Sequence, residues 1–279
     1  MNTVSVIIPT YNRSQTLSNA IDSVLAQQSK ALEVVVVDDG STDETQDLLG
    51  KYEGKIKVIT QSNQGVSAAR NAGINAALGE WIALLDSDDI WHKDKLSRQL
   101  ETIEQNPTAR LVHCDEIWIR QGARVNPMQK HKKFDGYIFK QCLPLCCISP
   151  SATLIKKDVF EEIGLFDTEL PACEDYDLWL RYCYKYPVHF IDEQLLTKYG
   201  GHDDQLSAKY FGMDRFRIRA LEKLAQNTPL SYEQLTMVIA MAVKKINIYC
   251  KGAAKRNKVD EIERYQQLKA WFESLRPTK

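Results

Sequence analysis

Asp86-Ser87-Asp88-Asp89 places three carboxylates within four residues. In an extended segment residues i and i+2 point the same way, so Asp86 and Asp88 can present two carboxylates on one side. Acids this crowded repel unless a cation or donors compensate them. Hard oxygen ligands suit Mg²⁺ or Mn²⁺, which typically bridges to substrate phosphates. A solvated acidic loop that caps a helix, with Asp89 or Asp94 as cap, would use the same residue types. Asp38-Asp39 follows four valines; a carboxylate there can accept from a base or a ribose, or can simply turn the chain before Gly40. Thr10-Tyr11-Asn12-Arg13 adds polar groups and a guanidinium able to meet a phosphate. Asp175, in Cys173-Glu174-Asp175-Tyr176-Asp177, precedes a helix-like stretch. An ionised, positioned carboxylate is what a general base needs, and ordinary N-capping is the alternative.

The elements that must position these groups alternate. Val4–Pro9 is a short apolar run. Leu17, Ala20, Ile21, Val24 and Leu25 follow with helical spacing. Glu33–Val37 is continuous and β-branched, the mark of a strand buried on both faces in a parallel sheet. Ser41 and Glu44 fit a capping box for the next helix. Ile56–Thr60 predicts a third strand and Gly65–Leu78 a helix of small residues that packs closely. Trp81–Leu85 predicts a fourth strand and Arg110–Cys114 a fifth. This order implies a doubly wound parallel sheet, and such sheets bind ligands beyond the carboxyl ends of their strands. All three polar clusters lie at such ends, so topology gathers them on one edge. Gly122–Pro150 predicts loops and short strands. Trp179, Tyr182, Cys183 and Tyr186 give a later helix its apolar face. From Met213 the chain predicts helices, with a break near Asn227-Thr228-Pro229.

Bulk properties bound the rest. The 279 residues are 44% hydrophobic and 26% charged, enough for a sizeable core. A net charge of −1 argues against non-specific nucleic-acid binding. Charge is uneven: Lys244 to Lys279 holds ten Lys or Arg against four Asp or Glu. Leu235, Val238, Ile239, Ala242, Ile246 and Tyr249 mark an apolar helix face there, with Lys244, Lys245, Lys251, Lys255 and Arg256 as positive charge. Such a helix either packs on the preceding α/β domain, the preferred reading, or lies peripherally on anionic lipid. No leader pattern or membrane-spanning run is evident, so a cytoplasmic location is expected. Cys142, Cys146 and Cys147 fit no common zinc spacing and are expected to be packed thiols.

Five segments together carry a resemblance. Val4–Arg13 (VSVIIPTYNR), Val34–Thr45 (VVVVDDGSTDET), Gln64–Gly73 (QGVSAARNAG), Leu84–Asp89 (LLDSDD) and Glu174–Arg181 (EDYDLWLR) resemble family 2 glycosyltransferases of the GT-A fold, in order and spacing. The resemblance covers roughly residues 3 to 205. It implies a Rossmann-like α/β sheet with helices on both faces, in a catalytic domain over 1–205, divided at 115/116 into nucleotide-sugar and acceptor halves. Residues 206–279 would be a helical extension. It also implies an enzyme that moves one sugar from a nucleotide-diphosphate sugar, a UDP- or dTDP-sugar, to an acceptor hydroxyl with inversion. The acceptor would be a glycan, a lipid-linked glycan or a protein, in cell-surface polysaccharide biosynthesis. Pro9, Thr10, Tyr11, Arg13 and Asp39 would hold the nucleotide, with Arg70 facing it and Asp86 on the ribose or diphosphate side. Asp88 would bind Mn²⁺ or Mg²⁺, with His202 near the metal, and Asp175 would be the base. Processive members carry Gln-x-x-Arg-Trp beyond the Glu-Asp motif; Trp179 and Arg181 do not reproduce it, which argues for single-sugar addition. A sugar-phosphate nucleotidyltransferase would want a Gly-rich loop and a lysine where Pro9–Arg13 stands. A non-catalytic scaffold would be expected to have lost Asp39, Asp86, Asp88 or Asp175.

Overall fold

The computed structural model describes residues 2–126, 128–201, 210 and 212–275. Among the described residues nine strands form one mixed sheet: β1 (Val4–Thr10), β2 (Glu33–Asp38), β3 (Lys57–Thr60), β4 (Trp81–Leu84), β5 (Ile90–Trp91), β6 (Leu111–Arg120), β7 (Ala123–Val125), β8 (Thr153–Lys156) and β9 (His189–Gly200). Their order is β3-β2-β1-β4-β8-β6-β9-β5, with β7 paired to β6. β3, β2, β1 and β4 run parallel. Beyond β4 the sheet changes character, because β8 pairs antiparallel with both β4 and β6. The expected parallel sheet therefore accounts for four of the nine described strands. Pro9, which has no backbone N–H, lies in β1 beyond Ile7, where pairing with β4 has ended.

Alternation along the strands fills two cores. Val4, Val6, Ile8, Val34 and Val36 meet α1 (Leu17–Leu25) and α4 (Lys95–Gln105) on one face. Ile7, Val35 and Val37 meet α3 (Val66–Ala76) and α7 (Glu174–Cys183) on the other. α3 approaches closely because Gly73 has no side chain: a Cβ there would lie 2.3 Å from Ile7 Cγ2 and 3.2 Å from Val37 Cγ2. Three shorter helices, α2 (Thr45–Gly50), α5 (Phe139–Cys142) and α6 (Val159–Ile163), line the connections.

The chain ends in α8 (Asp214–Asn227), α9 (Tyr232–Ala254) and α10 (Val259–Ser274). Val238, Ile239, Ala242 and Ile246 of α9 are buried in the same core as α3 and α7. The apolar face of this basic helix is thus used in packing, and Lys245 is buried with it, bonded to Asp214 Oδ1 at 3.1 Å. Lys244, Lys251, Lys255 and Arg256 remain exposed. Among the described residues no helix is long and apolar enough to cross a membrane.

Candidate active site

Two loops at the ends of β1 and β2 are stitched together. Asn12 adopts a left-handed backbone, φ 52°, a conformation Asn tolerates better than most residues. Its N–H donates to Ser41 Oγ at 2.9 Å, and its own Oδ1 accepts from the Thr42 amide at 2.7 Å. The amides of Arg13 and Ser14 donate to Thr45 Oγ1 and Asp43 Oδ2. Burial pushes the Asp43 pKa up, but hydrogen bonds from Thr45 and Ser14 outweigh it and hold the carboxyl down at about 2. The expected capping box is absent: Ser41 serves Asn12, and Glu44 at the N-terminus of α2 makes no side-chain cap.

Asp39 is buried, and its carboxylate organises the next loop. Oδ1 accepts from Gln61 Nε2 at 2.7 Å and the Gln64 amide at 2.9 Å, and Oδ2 from the Gly65 amide at 2.8 Å. Beside it Thr10 Oγ1 is buried without a hydrogen-bond partner among the described residues, and the Tyr11 ring is 46% exposed. A buried unpaired hydroxyl is costly, so a partner from a ligand fits this position.

The acidic run after β4 is a turn, closed by the Asp89 amide donating to the Asp86 carbonyl at 3.0 Å. It is not the extended segment expected, so Asp86 and Asp88 do not lie in parallel. Each acid instead has its own surroundings. Asp86 Oδ1 accepts from Arg70 Nη2 at 2.7 Å, and its amide donates to Ser151 Oγ. Burial pushes this carboxyl up, but Arg70 outweighs it and holds the group below the usual carboxylate range. Asp89 is buried; its Oδ1 accepts from the Tyr199 amide while Oδ2 has no partner among the described residues. Burial lifts its pKa well above the ordinary value against the charge of Lys198. Asp88 is half-buried, with no side-chain donor bonded to it among the described residues. Burial and the Asp86 charge raise its pKa, with Arg13 and Lys198 opposing. Asp88 is therefore the acid of this turn that fits a hard divalent cation. Among the described residues no three His, Cys, Asp or Glu are grouped to hold a metal on protein ligands alone. That suits a cation which takes its remaining ligands from phosphates and water.

Arg70 connects this turn to α7. Its guanidinium is 4% exposed, donates from Nη1 to Glu174 Oε1 at 2.7 Å, and lies 5.1 Å from the Phe166 ring centroid. Glu174, pushed up by burial and the adjacent Asp175 charge and restrained by Arg70, is thus a structural partner. Asp175 is half-exposed one residue further on. It does not cap the helix: the N-cap is Cys173, a non-glycine residue held at φ 63°. Such backbone strain costs roughly 1–3 kcal/mol and collects at functional sites. Asp175 Oδ1 accepts from the Tyr176 amide and Oδ2 from Cys146 Sγ at 3.3 Å. Cys142 Sγ lies 3.0 Å from Cys147 Sγ and 3.8 Å from Cys183 Sγ, a set of packed thiols as expected. His202 lies outside the described residues.

Thr10, Tyr11, Arg13, Asp39, Asp86 and Asp88 therefore lie at or follow the ends of β1, β2 and β4, and Arg70, inside α3, links that edge to the start of α7, where Asp175 stands. The Glu174–Arg70–Asp86 link, the contact of Cys146 with Asp175, and Lys198 had no local signature in the sequence.

A match to the family described as glycosyl transferase family 2 spans residues 5–164. An uncharacterized glycosyltransferase of Rickettsia felis is 36% identical over 194 residues, 69% of this chain and 32% of that protein. The amylovoran biosynthesis glycosyltransferase AmsB of Erwinia amylovora is 31% identical over 229 residues, 74% of each chain. The chain spans about a third of the length of the first curated relatives it matches. Among solved structures, S. aureus TarS 1–349 in complex with UDP-GlcNAc aligns with a TM-score of 0.72 at 17% identity, covering 99% of this chain and 93% of that one. The fold is GT-A.

Proposed function

The chain belongs to glycosyl transferase family 2, and from that premise we propose that it transfers a single sugar from a nucleotide-diphosphate sugar to an acceptor hydroxyl, with inversion and with a divalent metal. The observation that carries this reading is the double ion pair of Arg70, which joins the Asp86–Asp89 turn to the Glu174-Asp175 segment. This link supports the reading because it ties the turn that carries Asp88 to the segment that carries Asp175, and a transfer reaction needs two such acids. Asp88 would hold Mn²⁺ or Mg²⁺, which when bound supplies Lewis-acid stabilisation of the leaving diphosphate. Asp175 would accept the proton of the acceptor hydroxyl as that oxygen attacks the anomeric carbon. Its oxygen bonded to Cys146 is held in orientation by the thiol. Thr10, Tyr11, Arg13 and Asp39 would seat the nucleotide on the stitched β1 and β2 loops.

A uridine donor is supported by TarS, whose crystal structures hold UDP-GlcNAc and UDP. A polysaccharide acceptor is supported by AmsB, named for amylovoran biosynthesis. A donor screen that reads released nucleoside diphosphate, with and without Mn²⁺, tests the proposal. Acceptor-dependent release that disappears in EDTA is expected, with the product anomer opposite to the donor's. Tight nucleotide binding with no release from any donor would instead assign a non-catalytic scaffold.

A further inference from the structure

The proposed transfer gives no part to Trp118, near the end of β6. Its ring is half-buried and packs against His131, with 4.8 Å between ring centroids. The indole N–H donates to Glu116 Oε1 at 2.7 Å, so ring and carboxylate share one face of the strand. Glu116 is buried, and the same oxygen accepts from Ser149 Oγ at 3.0 Å and lies 3.1 Å from Lys133 Nζ. Burial pushes its pKa up, but Lys133, Lys198 and these hydrogen bonds outweigh it and hold it at about 2, so the group is ionised. Oε2 of the same carboxylate is buried without a hydrogen-bond partner among the described residues. Such an oxygen is costly, and a hydroxyl brought by a ligand is the donor it lacks.

Contacts place this group at the site. β8 runs antiparallel to both β4 and β6, so those two strands point the same way and end on the same edge. The chain enters β8 from that edge through residues 146–151, which are tied down at three points. Cys146 Sγ donates to Asp175 Oδ2 at 3.3 Å, Ser149 Oγ to Glu116, and Ser151 Oγ accepts from the Asp86 amide at 3.0 Å. The bond to Glu116 is therefore three residues of chain from the thiol that holds Asp175. β6 lies two strand spacings beyond β4, about 10 Å, on the side away from β1 and β2.

Order along this edge decides which part of the reaction Trp118 meets. In the proposed transfer the nucleotide lies over the β1 and β2 loops and the diphosphate at the turn after β4. The attacking hydroxyl then arrives from the opposite side, over β6 and next to Asp175. An indole there offers a flat apolar face, and Glu116 already engages its N–H, which holds the ring in one orientation. A pyranose ring presents a matching face of C–H groups with hydroxyls around its rim, and an open-chain polyol has no such face. We propose that Trp118 is the platform on which a sugar ring of the acceptor stacks. The proposal rests on the transfer reading for its place in the reaction, and its test reads binding and not turnover.

Saturation-transfer NMR on the full chain, with and without UDP and Mn²⁺, measures binding of the methyl glycosides of glucose, galactose, mannose, rhamnose and N-acetylglucosamine. D-Glucitol serves as the open-chain control. Wild type should bind at least one glycoside, and bind it more tightly than glucitol. Trp118→Ala should weaken that glycoside by about 5- to 100-fold, the scale of one stacked ring, and Trp118→Phe should keep most of the affinity. UDP affinity by calorimetry should be the same in all three proteins. Equal glycoside affinity in wild type and Trp118→Ala, equal losses for glycoside and UDP, or glucitol binding as tight as the glycosides would overturn the proposal and leave Trp118 a packing residue of β6. Failure of wild type to bind any glycoside of the set would overturn it as well. If Trp118→Ala does not fold, Trp118→Leu, which keeps apolar volume without a ring, is measured under the same criteria. Should the donor screen fail while Trp118-dependent glycoside binding appears, the transfer reading falls and the sugar platform stands.

Discussion

Replacing Arg70 with methionine should be among the most damaging single changes in the protein. Methionine keeps a long unbranched stem in the same channel over Phe166 and removes the guanidinium alone. Two carboxylates are left behind, Glu174 with 7% of its side chain exposed and Asp86 with 25%. Breaking one partner out of a buried ion pair costs about 3–5 kcal/mol, because the remaining charge is uncompensated. Water reaching Asp86 relieves part of the second loss, so the total stays in that range. At about 2–4 °C per kcal/mol, the thermal midpoint should fall by roughly 10 °C. The pH dependence identifies the cause. Arg70 holds the folded-state pKa of Asp86 below its unfolded value, so this stabilisation is present at neutral pH and is lost as pH falls through the folded value. The gap between wild type and Arg70→Met should therefore narrow on acidification as the orphaned carboxyls protonate. Thermal unfolding near pH 7.5 and about pH 5 measures it, with Arg70→Met/Glu174→Gln expected to recover part of the loss. A deficit under about 1 kcal/mol, or one that does not change with pH, would refute the argument.

Asp175→Asn keeps the shape of the side chain and removes its proton affinity; transfer should drop by roughly 10²–10⁴ with nucleotide affinity retained. Since Arg70 occupies Glu174, a variant keeping more than about a tenth of its activity would place the base elsewhere altogether. Asp88→Ala should fold normally and lose the Mn²⁺-dependent part of nucleotide binding in titrations; wild-type affinity that is equal in EDTA and in Mn²⁺ would contradict the role given to Asp88. Buried His113 donates from Nε2 to the Phe134 carbonyl at 2.9 Å, and burial together with Lys133 depresses its pKa from 6.5 to about 4. Its neutral form is favoured by folding, so stability is full above the unfolded value and falls as pH drops through the interval down to about 4, by about 2 kcal/mol at about pH 5. His113→Gln, which can keep a nitrogen near the Phe134 carbonyl, should lack that component in denaturation curves across this range, and identical pH profiles would rule it out.

The parallel half of the sheet was legible because its strands are covered on both faces. Val34–Val37 is a local, unmixed signal and Val4–Ile8 is interrupted only by Ser5, and the helices between them repeat with a plain helical period. The other half was legible only in part, since β6 mixes His113, Asp115 and Glu116 into its run and takes its register from distant β8 and β9. β5, with two residues, carries no periodicity at all. In the site, acids at strand ends could be found by type and position. Their partners could not: nothing near Arg70 in the sequence names Glu174, and nothing near Lys198 names Asp89. Ser41 and Glu44 matched a capping box because the pattern is local, while the bond that claims Ser41 comes from Asn12.

Gly73 stands one helical turn after Arg70, against Ile7 and Val37. The missing methyl group sets how near α3 comes to the sheet, and the helix carries Arg70 with it. The reach of a guanidinium to two carboxylates is thus gauged by an empty space in the hydrocarbon interior, on the side of the helix away from solvent. A larger residue there would leave each acid and base in place and shift the connector between them. The Arg70 ion pairs are accordingly sensitive to a position that bears no charge and touches neither carboxylate.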